Sequence, residues 1–164
     1  MSDLPQYVLD RSFKAPRATV WKTFSDPELL ARWYGPGVET IIHKFDLKAG
    51  GQWLNEMRMK GNSMYSVQDF KEVIDLEKIV FHQGNSDADW NVTSNPMMPD
   101  WPQILHTEIT FVDEGADTQM KLVWTPHEAS DGEIACFANA VSQMGRGWEA
   151  GMSIIDEILT ELQA

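Results

Sequence analysis

The sequence predicts an α+β fold: a curved antiparallel sheet wrapped around one long C-terminal helix, with two short helices after the first strand. Three observations predict it. Alternating segments are joined by short polar or glycine-bearing turns, which favour antiparallel neighbours. Prolines at 16 and 27 open short apolar-faced stretches early in the chain. The segment after Ser130 carries one apolar stripe at helical spacing.

In chain order, Tyr7 to Phe13 places Tyr7, Leu9 and Phe13 on one side, as a half-buried strand does. Pro16 suits the first turn of a helix whose apolar face is Val20, Trp21 and Phe24. Asp26-Pro27 starts a second helix with Leu29, Leu30 and Trp33, and Gly35-Pro36-Gly37 stops it. Strands follow at about Val38–Leu47, Gln52–Met59, Met64–Val73 and Lys78–Gln83. Gly84 to Pro102, rich in Asn, Asp, Pro and Trp, reads as a long loop. A hairpin joins Leu105–Val112 to Gln119–Thr125 through Asp113–Asp117. Ser130 with Glu133 is a capping-box pattern. The helix it opens buries Phe137, Ala140, Val141, Met144, Trp148, Gly151, Ile155, Ile158, Leu159 and Leu162, with a partial break expected near Gly145 to Gly147.

All 164 residues fit one domain, 1–164, with 43% apolar and 23% charged residues, an ordinary globular balance. The net charge of −12 and the lack of a basic cluster disfavour nucleic acid and anionic lipid surfaces. Cys136 is the single cysteine, so no intrachain disulfide or cysteine metal site forms, and a packed residue is expected there rather than a nucleophile. The N-terminus lacks a signal-peptide pattern and no run has membrane-span length, so a cytoplasmic location is expected.

The wording of the chain resembles a known family. Arg11-Ser12-Phe13-Lys14-Ala15-Pro16, Val20-Trp21, Asp26-Pro27-Glu28-Leu29-Leu30, Arg32-Trp33 and Gly35-Pro36 are similar to the opening of the START-like SRPBCC superfamily, whose fold is the helix grip. The nearest branch is the family named after the activator of heat-shock-protein-90 ATPase. Phe45 to Trp53, Glu77 to Phe81, Thr107 to Phe111, and Met144 with Gly147-Trp148 continue the family order over roughly residues 7 to 162. Lys48 stands where that family has arginine. The resemblance implies a cavity between sheet and helix; its occupant differs among members.

Alternation assigns polar residues to the same face as the apolar ones: Arg11 with Leu9 and Phe13, His43 with Ile41 and Phe45, Asn55 with Trp53 and Met57, and Asp69 with Tyr65, Val67 and Val73. Arg11 would clamp a carboxylate, His43 would exchange protons, and Asp69 would neutralise either. The bland alternatives are a buried Arg11–Asp69 ion pair, a hydrogen-bonded core histidine and an Asn55 facing water. Trp53, Met57, Trp124, Met144, Trp148 and Met152 are the candidate apolar walls, a reading that coincides with plain core. Gly147 and Gly151 leave room for a ligand or for a close strand. His82, His106 and His127 have no metal-ligand spacing, no phosphate or dinucleotide loop occurs, and no cofactor is expected.

The reading that follows is binding of a small hydrophobic or aromatic molecule, with a homodimer left open. A cyclase- or dehydratase-type enzyme would use the same cavity but needs an acid–base pair aimed at one point. A chaperone partner, suggested by the family name, would require a sizeable exposed patch.

Overall fold

Alternation and turn chemistry build the sheet. The computed structural model describes residues 4–143 and 145–164. It runs β1 (Tyr7–Phe13), α1 (Arg17–Ser25), α2 (Pro27–Trp33), β2 (Glu39–Phe45), β3 (Gln52–Met59), β4 (Asn62–Ile74), β5 (Lys78–Ser86), β6 (Ile104–Glu114), β7 (Asp117–Pro126), α3 (Asp131–Ala140) and α4 (Gly145–Leu162). The seven strands form one sheet in the order β1-β7-β6-β5-β4-β3-β2, each pair antiparallel. The helix-grip arrangement predicted above is the fold observed. At Lys60-Gly61, between the paired Met59 and Asn62, both residues have positive φ, the geometry that matches strand twist in a two-residue hairpin.

Two short helices start where the sequence placed them. Asp26 caps α2 by accepting from the Glu28 N–H, with Pro27 in the first turn. Trp33 ends α2 with its indole N–H donated to the Thr23 carbonyl, which ties the two helices together. The Ser130–Glu133 capping box forms in both directions and opens α3. The long C-terminal helix is nevertheless two helices. α3 ends at Ala140, a single 3₁₀ turn covers Val141–Gln143, and α4 starts at Gly145. The break lies just before the expected Gly145–Gly147. Val141, Ser142, Gly145 and Gly147 are weak helix formers crowded into seven residues, so α geometry is given up there at little cost.

The core joins one face of the sheet to the helices. Phe13, Phe24, Trp33, Phe111, Met120, Leu122, Phe137, Met152, Ile155 and Ile158 are buried in one cluster. Leu162, assigned to the buried stripe, is exposed in the last turn. The Gly84–Pro102 segment is less irregular than expected at its start: β5 continues to Ser86 and bridges to Val92. Beyond that, the Asp87 carboxylate accepts from the N–H groups of Asp89 and Asn91 and holds Trp90 at a φ of 67°.

Arg11 lies on the core face, as alternation requires, but its partner is not Asp69. Its guanidinium donates to Asp156 on α4 at 2.5 Å and rests over the Phe13 ring. Asp69 is strands away because β4 presents Ser66, Gln68 and Phe70 inward, the opposite parity to that expected. The side chains of Arg11 and Asp156 are 28% and 47% exposed, so solvent screens the pair. Arg11→Met should therefore lower stability by only about 1 kcal/mol in urea melts, with a loss that shrinks as salt is added. The 3–5 kcal/mol of a stranded buried charge is not expected.

Candidate functional site

A mostly apolar recess opens where α2, the β2 approach and the start of α4 meet. Trp33 and Tyr34 leave α2, Gly35-Pro36 turn the chain, and Trp124 of β7, Trp101 of the long loop and Gly147, Trp148 and Gly151 of α4 complete a cleft of about 320 Å³. Its rings interlock: Trp148 meets Trp124 and Tyr34 edge to face at 5.3 and 6.3 Å and lies tilted against Trp33 at 6.4 Å. Gly151 lets α4 approach α2, since a Cβ there would meet the Trp33 carbonyl oxygen at 3.2 Å. A Cβ on Gly147 would meet nothing within 4 Å, so that position holds the cleft open.

Behind Trp33, Tyr34 and Trp148 lies a second, much smaller void of about 20 Å³, bounded also by Trp53, Phe70 and Phe81. The cavity expected between sheet and helix is thus mostly filled, and the usable space sits at its mouth. Of the predicted walls, Trp124 and Trp148 line the cleft. Trp53 lines the inner void, Met57 packs partly buried near Gly35, and Met152 is fully buried core. Met144 lies outside the described residues. Trp33, Tyr34, Pro36 and Trp101 were not singled out as walls; the Trp33-Tyr34-Gly35-Pro36 run was the available signal.

Asn55 is buried beside Trp53, as expected, and accepts the Trp53 indole N–H at 3.2 Å. An indole N–H can only donate, so Asn55 must turn its oxygen that way, and its amide nitrogen is left without a partner. The Tyr34 hydroxyl faces Gln68 and Gln83. Burial pushes its pKa up to about 12, with those hydrogen bonds pulling the other way.

His43 and Asp69 are not in the interior. The β2–β3 register slips between Ile42 and Lys44, leaving His43 as the extra residue of a bulge. Ile42 and Phe45 therefore pack inward, and His43 turns to the convex face. There its Nε2 sits 2.8 Å from Glu56, and Trp90 crosses its ring edge-on at 5.2 Å. Glu56 also accepts from Ser63 and Arg58, and these three partners, Ser63 foremost, hold its carboxyl down near about 2. Asp69 accepts from Gln52 on the same convex side, opposite His82. His82 in turn meets His106 at 3.1 Å and lies against the tilted His127 ring, with centroids 4.2 Å apart. Among the described residues no group of three His, Cys, Asp or Glu has metal-binding geometry, and no helix is long and apolar enough to cross a membrane. Cys136 is partly buried.

Comparison with known proteins places this architecture. The model of the activator of Hsp90 ATPase homolog 1-like proteins matches residues 14–160. A solution structure of a protein from Arthrobacter aurescens superposes with a TM-score of 0.80 at 19% identity, covering 98% of this chain and 90% of that one. Protein Ms6760 from Mycobacterium smegmatis gives 0.78 at 19% identity, over 98% of both chains. CalU16 from Micromonospora echinospora gives 0.59 at 18% identity, over 94% of this chain and 75% of that one. At these identities the structural likeness speaks to fold. No curated protein sequence matches the chain significantly.

Two outcomes follow from this geometry. Gly147→Ala should raise stability by up to about 1 kcal/mol, since the methyl enters open space on a helix. Gly151→Ala should lower it, because the methyl presses on α2; thermal melts of the pair should move in opposite directions. The convex face predicts a pH effect. Burial, then the charges of His127 and His106, lower the His82 pKa from 6.5 to about 4. In the unfolded chain it protonates near 6.5, so between those values the unfolded state binds the extra proton. Stability should fall as pH drops from 6.5 to 4, by about 1–2 kcal/mol once screening of a partly exposed group is allowed for. His82→Gln should flatten the urea-melt profile in that window.

Proposed function

The chain belongs to the activator of Hsp90 ATPase homolog 1-like family, and from that premise we propose that it binds one small apolar or aromatic molecule in the cleft between α2, β7 and α4. The observation that supports this reading is the composition of the walls. Trp33, Tyr34, Trp101, Trp124 and Trp148 surround about 320 Å³, the lower end of the range for small-molecule sites. Flat rings arranged edge to face leave slots that suit another flat ring. The open Gly147 face supplies an entrance.

A cyclase- or dehydratase-type reaction would need a proton donor or acceptor tuned near neutrality at the cleft. Tyr34 carries the titratable group of the lining, and its raised pKa keeps it protonated; His43, the base expected from sequence, is on the other side of the sheet. These placements favour binding over catalysis. A role with a chaperone partner gains no support from the cleft, which is scaled to a small molecule.

The neutral probe N-phenyl-1-naphthylamine should bind with one-to-one stoichiometry, brighten, and raise the melting temperature by mass action. Gly147→Phe should fill the cleft and weaken binding at least tenfold while the protein still folds. Equal affinity in that variant would move the site elsewhere.

A further inference from the structure

The partition between cleft and inner void is made of side chains that bound both. Trp33, Tyr34 and Trp148 face the cleft on one side and the void on the other. Trp33 is anchored by its bond to the Thr23 carbonyl. Trp148 is half-buried and follows the 3₁₀ break and two glycines at the start of α4, so it is the partition member with most freedom to turn.

Around this partition, buried polar atoms lack partners. They are Asn55 Nδ2, Gln68 Oε1, Thr107 Oγ1 and Trp124 Nε1. Strand register places all four on the inner face, from Asn55 on β3 across Gln68 on β4 and Thr107 on β6 to Trp124 on β7. Gln68 pairs with Trp53, which bounds the void; Thr107 pairs with Phe81, which also bounds it, and with the cleft-lining Trp124. Asn55 and Gln68 are almost wholly buried, at 1% and 0% exposure, and so is Thr107 at 0%. Each unpaired buried group costs stability, and natural cores rarely keep several side by side. Gln68 donates to the Ser66 hydroxyl oxygen and its amide faces the Tyr34 hydroxyl, while its carbonyl oxygen is left unpaired.

We infer that the cleft extends inward past Trp148 when occupied, and that its deep end takes a neutral hydrogen-bonding group, a carbonyl or hydroxyl, on an aromatic ligand. The inference rests on the binding reading above and specifies its ligand class. Next to the void-bounding Trp53 and Phe81, the unpaired set offers a donor at Trp124, an amide end at Gln68 and a hydroxyl at Thr107, which suits a group that both accepts and donates. It offers no charge. Arg11, the expected carboxylate clamp, is engaged with Asp156 away from the cleft, so a carboxylate would lose its hydration without a counter-ion.

Titration calorimetry with naphthalene, 2-naphthol and 2-naphthoate tests this. Naphthalene should bind, 2-naphthol should bind about five- to tenfold more tightly, and 2-naphthoate more weakly than either. In Gln68→Met with Thr107→Val the naphthol advantage should collapse toward one while naphthalene affinity holds, and the unliganded melt should not fall, since unpaired groups are being removed. Trp124→Phe should reduce the same advantage and serves if the double variant does not fold. An advantage near one in the wild type, or one that survives both variants, would overturn the inference while leaving the cleft intact. If naphthalene itself fails to bind, or binds equally to Gly147→Phe, the binding reading falls and this one with it.

Discussion

The close approach of α4 to α2 at Gly151 is the constraint on which the interior depends. With no side chain at that position, the helix can sit within contact distance of the Trp33 backbone. That seats Trp148 against Trp33 and Tyr34 and closes the sheet's concave face one turn inside its mouth. A methyl there would press on the Trp33 carbonyl and force the two helices slightly apart. The division into an outer recess and a nearly filled interior rests on that close approach, reinforced by the Trp33–Thr23 hydrogen bond that fixes the other wall.

The two faces of the sheet solve different electrostatic problems. On the convex face, polar groups are paired tightly: Glu56 with Ser63, Arg58 and His43, Asp69 with Gln52, and His82 among other histidines. Around the aromatic recess on the concave face the buried polar atoms are amides, hydroxyls and an indole N–H, several of them unpaired. Charge is kept out of the aromatic recess, where its desolvation would be severe, and gathered where water and partners offset it. An acidic chain with an uncharged recess also has no long-range attraction for anions, in keeping with a neutral occupant.

How much of this was legible in the sequence differs by feature. The succession of strands along the chain and the Asp26-Pro27 and Ser130–Glu133 helix starts were legible because each rests on local chemistry. Glycine and proline leave their mark within a few residues, and so do capping side chains. The faces of Arg11, Trp53 and Asn55 were legible because nothing interrupts alternation in β1 and β3. His43 was misplaced because a bulge adds a residue without changing any residue's polarity, so the pattern before and after it looks continuous while the faces exchange. Asp69 fell to the same ambiguity: β4 carries its own slip after Phe70, and Val67, buried on the convex side near the long loop, imitates a core residue.

The Arg11 case shows why pairing is harder to read than facing. A strand residue's direction follows from parity, whereas its partner depends on where another element crosses. Asp156 sits beside Ile155 on α4, and a helix turns about 100° per residue, so a neighbour of a buried position lies at the edge of the buried stripe rather than opposite it. A long side chain rising from β1 reaches that edge with its guanidinium resting over the Phe13 ring. The pair lines an open, polar recess of about 300 Å³ toward one end of α4, while the cleft walled by Trp148, Trp124 and Trp101 opens toward the other. Charge thus gathers at one end of the helix and rings at the other, which gives the concave face a polarity along α4.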